Sequence, residues 1–342
     1  MRRYLRIIAA LAAALIALSG GGRLLGLESG VVKPGDGRIP MPPVHAPEGS
    51  IVLNPAPDLT GMAINPLSGL YIPEENAVRR PFALVFNNNE ASMPQSGLSQ
   101  ADIIYEVISE GTITRIIGIY QDFNSAKLGS IRSARHYFID IALDYDAFFV
   151  HFGGSPQAYA AIKDLGIANI NGIYLDSGVR TENFGSVVFW RDAERWKKAS
   201  LREHSAFTSA ESLLNHVINQ GYRMEKRENR GPFAFYEGKT SPSADTVNKI
   251  TVSYGGGNPG VFEYNKDLGK YYRSQFKGPK PHMDSETGEQ ISVDNVIVQL
   301  TSVRSIQGDT EGRRNVGVIG SGTGYLYTNG SVEPISWSKE GH

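Results

Sequence analysis

Ala101-Asp102-Ile103-Ile104-Tyr105-Glu106-Val107-Ile108-Ser109, then Glu110-Gly111, then Thr112-Ile113-Thr114-Arg115-Ile116-Ile117-Gly118-Ile119-Tyr120-Gln121-Asp122-Phe123, is the stretch on which the fold of this chain turns. Two runs rich in Ile, Val and Tyr flank a glycine-bearing pair, the pattern of a β-hairpin. With Glu110-Gly111 as the loop, Ser109 faces Thr112, Ile108 faces Ile113 and Glu106 faces Arg115. Ile104, Ile108, Ile113 and Ile117 mark one face, and Tyr105, Val107 and Ile116 the other. Both faces are apolar, so the sheet is expected to be covered on both sides. A Glu–Arg pair inside such a sheet is costly unless paired and hydrogen-bonded.

The same reading extends outward. Pro81 to Asn87 and Ala147 to Phe152 read as buried strands, and Ser133 to Asp144 as a helix with Tyr137, Phe138, Ile141 and Ala142 on one face. Ser155-Pro156 opens another helix as N-cap and first helical residue. Thr208-Ser209-Ala210-Glu211 reads as a capping box before a helix that Gly221 stops. From about residue 230 the pattern is nearly all β. Strands are expected at Lys249 to Tyr254, Val261 to Asn265, Lys270 to Phe276, Asn295 to Val303, Asn315 to Ile319 and Tyr325 to Trp337, the last turning at Asn329-Gly330. The whole is α+β, with a mixed domain over 63–225 and a β-rich domain over 230–342.

The chain of 342 residues carries a net charge of −1, which gives no pull toward nucleic acid, and none is expected as a partner. It has no cysteine, which removes disulfides, thiolate nucleophiles and Cys-type metal sites. No Walker loop, His-Glu-x-x-His or Gly-x-Ser-x-Gly is present. His136 and Asp140 lie one helical turn apart, a spacing too common to argue for metal. Neither a metal nor a cofactor is expected.

The N-terminus is basic (Arg2, Arg3, Arg6), then apolar from Ile7 to Leu18, then small, which is the order of an export signal over 1–21. The apolar run of about a dozen residues is short for a membrane span, which needs about 20. Leu18-Ser19-Gly20-Gly21 has the layout of a lipobox with Gly21 in the place of the lipidated cysteine, so lipid attachment cannot occur on this sequence. Three alternatives stay open: a replaced cysteine, cutting by ordinary signal peptidase, or an uncut anchor. Residues 22–62 hold Pro34, Pro40, Pro42, Pro43, Pro47, Pro55 and Pro57 and read as a tether. The expected place is outside the cytoplasm, at the outer face of the cytoplasmic membrane or secreted, with membrane contact through the N-terminal segment alone.

Charged residues crowd into the apolar elements. Glu106 and Glu110 beside Arg115 could serve as acid and base in glycoside cleavage, or as a structural ion pair with a turn carboxylate. Arg132 and Arg135 at a helix start suit a carboxylate or phosphate, or else Asp140, Asp102 or Glu106 of the same chain. His151, before Gly153-Gly154-Ser155, is placed like a general base beside an anion hole that Ser155 would help form; the bland reading is a satisfied structural histidine. Arg191, in Trp190-Arg191-Asp192, together with Arg195 and His204 suits sugar or anion recognition, or a stacked surface loop. His282-Met283-Asp284 is a weaker candidate in the β-rich half.

Asn65-Pro66-Leu67-Ser68-Gly69, Ala101 to Glu106, Glu110 to Arg115, Ile131-Arg132-Ser133-Ala134-Arg135 and His151-Phe152-Gly153-Gly154-Ser155, taken in order, resemble the YerB-like family of bacterial lipoproteins. The resemblance covers Asn65 onward. It implies a layered β-β-α sandwich and a place outside the cytoplasmic membrane, and it implies no reaction. The sequence departs from the family pattern at Gly21, at Glu203-His204-Ser205 where Pro-His-Asn is usual, and at His342, beyond which another strand or two is usual.

The reading that follows is an envelope protein binding an anionic or glycan ligand of the cell wall. Its pocket is expected to be lined by Glu106, Arg115, Arg132, Arg135 and His151, with Glu106 and His151 as the catalytic candidates. Ser155, Arg191 and His204 complete the expected contacts. The alternatives are a non-catalytic scaffold that docks an envelope protein partner through the β-rich half, and a peptidoglycan-cleaving glycosidase.

Overall fold

A computed structural model describes residues 58–181, 187–227, 233, 235, 246–255 and 258–341. The export signal and nearly all of the expected tether lie outside the described residues. No helix among the described residues is long and apolar enough to cross a membrane.

The central sheet has five strands in the order β4-β5-β3-β7-β8: β3 (Phe82–Asn87), β4 (Ile103–Glu110), β5 (Ile113–Tyr120), β7 (Phe148–His151) and β8 (Asn169–Asn171). β3 is buried throughout, and β4 and β5 are buried except at the turn. The sheet is therefore a middle layer. On one face Tyr105 hydrogen-bonds Tyr145, just past helix α2 (His136–Asp144). On the other face Glu106 meets Arg273 of β14 (Lys270–Gln275), from the β-rich half. Helix, sheet and sheet are stacked in that order, as the resemblance implied.

A second sheet runs β6-β11-β10-β9: β6 (Leu128–Gly129), β9 (Asp176–Arg180), β10 (Phe189–Asp192) and β11 (Ala206–Thr208). Ser155 caps helix α3 (Pro156–Leu165) by accepting from Ala158 N at 3.1 Å. Short helices α1 (Glu74–Val78), α4 (Gly172–Leu175) and α5 (Ala193–Lys197) and a small sheet of β1 (Met62–Ile64) and β2 (Tyr71–Pro73) complete this half, with helix α6 (Ala210–Asn219). In the β-rich half, β14 lies between β13 (Gly260–Asn265) and the short β15 (Lys280–Pro281) and β16 (Ser292–Val293), with β12 (Lys249–Val252) at the edge. β17 (Asn295–Gln299), β20 (Gly320–Thr328) and β21 (Ser331–Lys339) form another sheet, and β18 (Val303–Ser305) pairs with β19 (Arg314–Val316). Asn329 and Gly330 both have positive φ, as a tight hairpin turn between β20 and β21 requires.

Four local expectations are corrected. The β4–β5 register is shifted: Glu106 pairs with Ile116 and Val107 with Arg115, and Ser109 is a bulge before Glu110 pairs with Ile113. The turn is Gly111-Thr112, with Gly111 at φ +53°. A one-residue slip moves each side chain to the other face, so Glu106 and Arg115 do not face one another. Second, α2 starts at His136, which places Arg132 and Arg135 on the approach rather than inside its first turn. Third, Ser209, not Thr208, caps α6 by accepting from Ser212 N at 3.2 Å. Fourth, Asn295 to Val303 is not one strand, because pairing stops at Gln299 and resumes at Val303.

Candidate functional site

The bulge at Ser109 gives the site its asymmetry. Without it, Glu110 would share the face of Glu106, since residues of equal parity on a strand point the same way. The extra residue turns Glu110 to the α2 side. There Glu110 Oε2 accepts from Arg115 Nη2 at 2.9 Å, and Glu110 Oε1 meets Arg135 Nη2. Arg115 also donates to Ser133 O at 2.9 Å and Arg135 to Ala134 O at 2.5 Å. One half-buried carboxylate thus serves two buried guanidiniums.

Two more guanidiniums border the same open cleft of about 340 Å³. Arg132 donates to Glu203 O at 3.0 Å and to Glu203 Oε2 at 3.2 Å. Arg313, carried in from the β-rich half, pairs with Asp309 at 2.9 Å. The β-rich half is held there by the turn itself: Gly111 N donates to Gly312 O at 2.9 Å and Arg314 Nη2 donates to Gly111 O at 3.1 Å. Burial, and secondarily the nearby Arg132, lowers the Arg115 guanidinium to about 9. Burial, with Arg313 nearby, lowers Arg135 to about 10. Both remain charged at neutral pH, and the shifts express the cost of holding crowded cations away from water. The Nε–H groups of Arg115, Arg132 and Arg135 are buried without a partner. The protein's own acceptors therefore do not saturate the cluster.

His204 completes the rim. Its Nδ1 lies 2.5 Å from Asn87 Nδ2, which donates, and its Nε2 lies 3.3 Å from Glu203 Oε1. That arrangement fits a neutral ring with the proton on Nε2. Burial pulls His204 below the usual histidine range, against an upward pull from Glu203.

The opposite face of the hairpin carries a separate network. Glu106 Oε2 accepts from Arg273 Nη2 at 2.7 Å, and its Oε1 from Thr114 Oγ1 at 2.8 Å and Asn88 Nδ2 at 3.1 Å. Arg273 Nη1 donates to Gln275 Oε1 at 2.7 Å and to His282 Nδ1. His282 Nε2 then donates to Gln95 Oε1 at 2.5 Å. Asp284 accepts from Gly97 N at 3.0 Å and Ser99 N at 2.8 Å. His282-Met283-Asp284 is thus part of the seam between the two halves.

The structure brings Glu110, Arg115, Arg132, Arg135 and His204 to one cleft and places Glu106, His151, Ser155 and Arg191 elsewhere. The expected convergence of Glu106 and His151 with the arginines is corrected: the sheet separates Glu106 from them. His151 is fully buried, stacks on Phe149 and bonds Gly153 O at 2.6 Å and Asn169 Oδ1 at 2.5 Å. Ser155 is spent as the α3 cap. Arg191 lies over the Phe152 ring and pairs with Asp176 at 2.7 Å. Among the described residues no group of three or more His, Asp or Glu could hold a metal ion. Sequence reading missed Arg313 and Glu203 as cleft residues, and Arg273 as the partner of Glu106. Arg273 had a signal: it alternates in phase with Tyr271 and Gln275, the inward positions of β14. Arg313 had none, since a loop residue shows no face.

Residues 67–223 match the family described as protein of unknown function (DUF3048) N-terminal domain, and residues 250–342 match the DUF3048 C-terminal domain. A protein of Bacillus subtilis (strain 168) named "Putative lipoprotein YerB" is 31% identical over 284 residues, 83% of this chain and 80% of that one. The crystal structure of the YerB protein from Bacillus subtilis superposes with a TM-score of 0.65 at 29% identity, over 80% of this chain and 86% of that one.

Proposed function

Because the chain belongs to the DUF3048 family, whose description gives no activity, we propose a function from the site itself: an exported envelope protein that binds a carboxylate-bearing ligand of the cell wall in the arginine cleft. The observation that carries this reading is the charge count of the cleft. Four guanidiniums, of Arg115, Arg132, Arg135 and Arg313, border it against three carboxylates, the half-buried Glu110 and the exposed Glu203 and Glu311, so the guanidiniums outnumber the carboxylates among its lining residues. Glu203 is a resident stand-in: its side chain is 62% exposed, yet its carboxylate lies against Arg132 and His204. A ligand carboxylate displacing it would meet the same guanidinium fork.

Export rests on the basic–apolar–small order of residues 1–21 and on a relative whose name is that of a lipoprotein. Cleavage by paired carboxylates has no geometric support, because Glu106 and Glu110 point to opposite faces of the sheet and line different cavities instead of flanking one bond.

The test is calorimetric titration of the purified full chain with muropeptides released from cell wall, and separately with acetate and inorganic phosphate. Saturable muropeptide binding, weakened tenfold or more in Arg132→Ala, supports the reading. A folded protein that binds none of the three, or an Arg132→Ala protein that binds like the wild type, overturns it.

A further inference from the structure

A second recess, of about 220 Å³, opens on the other face of the hairpin and is lined by Asn88, Thr114, Glu106 and Gln275. It is the neighbour of the arginine cleft, because Asn89 and Ile113 line both. Strand alternation explains the pairing. Successive residues point to opposite faces, so Arg115 faces the cleft and Thr114 the recess on β5, and Asn87 at the end of β3 lines the cleft while Asn88, just past it, lines the recess. The two cavities are the two sides of one sheet end, joined over a rim.

The chemistry of the two sides differs. The cleft is cationic. The recess has no guanidinium among its lining residues; its two carboxylates, Glu106 and Glu90, are paired with Arg273 and Lys280, and its remaining polar groups are amides and threonine hydroxyls. In it, the buried Asn88 Oδ1 has no partner, while Asn88 Nδ2 is committed to Glu106 and Thr114. The orphan is an acceptor, so the matching ligand group is an N–H or O–H donor. Amide side chains pair with peptide amides in both directions.

We propose that cleft and recess form one groove that takes an extended acidic peptide, its terminal carboxylate among the arginines and its backbone amides passing over Asn89 into the recess. This rests on the reading of the cleft as a carboxylate site and adds the ligand's length and backbone. The path from one face to the other is ~10 Å, about the thickness of a sheet with its side chains, and an extended peptide advances ~3.4 Å per residue. About three residues are therefore needed to span it.

The test uses acetylated oligoalanines of one to six residues with a free C-terminal carboxylate, the same peptides C-terminally amidated, and muropeptide-derived glycan stripped of peptide, each titrated against the full chain. Affinity should rise at least tenfold between one and four residues, then level off, and amidation should abolish it. Ile113 is 38% exposed on the rim, so Ile113→Trp is expected to fold and to obstruct the crossing. In that variant the gain in affinity between the one-residue and the four-residue peptide should be lost. Carboxylate binding that does not depend on length, or that Ile113→Trp leaves intact, overturns the groove while leaving the carboxylate site standing. Binding of the stripped glycan in place of the peptides overturns the peptide assignment. No binding of any carboxylate overturns both readings.

Discussion

Glu106 and Glu110 lie four residues apart on one strand and on opposite faces of the sheet: Glu106 meets Arg273 of the β-rich half at 2.7 Å, and Glu110 meets Arg115 beside α2 at 2.9 Å. A single bulged residue, Ser109, separates their surroundings. Two carboxylates that look equivalent in the sequence therefore have different roles. Glu106 has its acceptors filled by Arg273, Thr114 and Asn88 at the seam between the halves, and Glu110 anchors the arginines of an open cleft.

The Glu106–Arg273 pair is nearly inaccessible, with side chains 4% and 3% exposed. Removing one partner leaves an uncompensated buried charge, at a cost of about 3–5 kcal/mol. Glu106→Gln should destabilise the protein by that order in urea unfolding. The double variant Glu106→Gln, Arg273→Met should recover a large part of the loss. A double variant as unstable as the sum of the two single ones would show that the pair is not coupled.

Arg132 and Glu203 make an exposed pair, worth about 0–1 kcal/mol to the fold. Arg132→Ala should unfold at nearly the wild-type urea concentration while losing ligand. Glu203→Gln removes the resident carboxylate and should tighten carboxylate binding several-fold. Weaker binding in Glu203→Gln would mean that Glu203 contacts the ligand instead of standing in for it.

Stability should fall on mild acidification. Burial, and then the neighbouring Arg273, holds His282 well below the usual histidine value, and burial lowers His151, His204 and His216 as well. In the unfolded chain these rings take up protons below about pH 6.5, while the folded protein resists. The stability is complete above that pH and declines as pH falls through it, by up to ~1.4 kcal/mol per unit for each of the deeply buried rings of His282 and His151. Urea unfolding at pH 7.5, 6.5 and 5.5 measures the slope. His282→Gln, which faces the same Arg273 and Gln95, should make it shallower; an unaltered slope would remove His282 from the account.

Asp284 ties the β-rich half to backbone N–H groups of Gly97 and Ser99. Asp284→Ala strands those donors and should cost about 3 kcal/mol, since a hydrogen bond to a charged group contributes about 1.5–3 kcal/mol. Limited proteolysis of the variant should show earlier cutting than in the wild type.

The elements of the hairpin were legible in the sequence because both strands are long, apolar and β-branched, and the turn carries a glycine. Their register was not. It depends on whether the turn is Glu110-Gly111 or Gly111-Thr112, a choice that leaves the same alternation in the letters but reverses which residues meet. Arg115, Arg132 and Arg135 could be grouped in advance because charges inside apolar elements need partners. His151 was misplaced because a strand-end histidine beside glycines has the same letters whether it is satisfied by Gly153 and Asn169 or left facing a cavity. Arg313 reaches the cleft through a contact between turns about 200 residues apart in the chain, and no local pattern encodes such a contact.

Calorimetric titration of a carboxylate-bearing muropeptide into the wild type and Arg132→Ala, with the fold of each verified by urea unfolding, tests the central claim most directly. The account predicts saturable binding by the wild type and at least a tenfold loss in a variant of nearly unchanged stability. Equal binding by the two proteins, or no binding by a folded wild type, would contradict it.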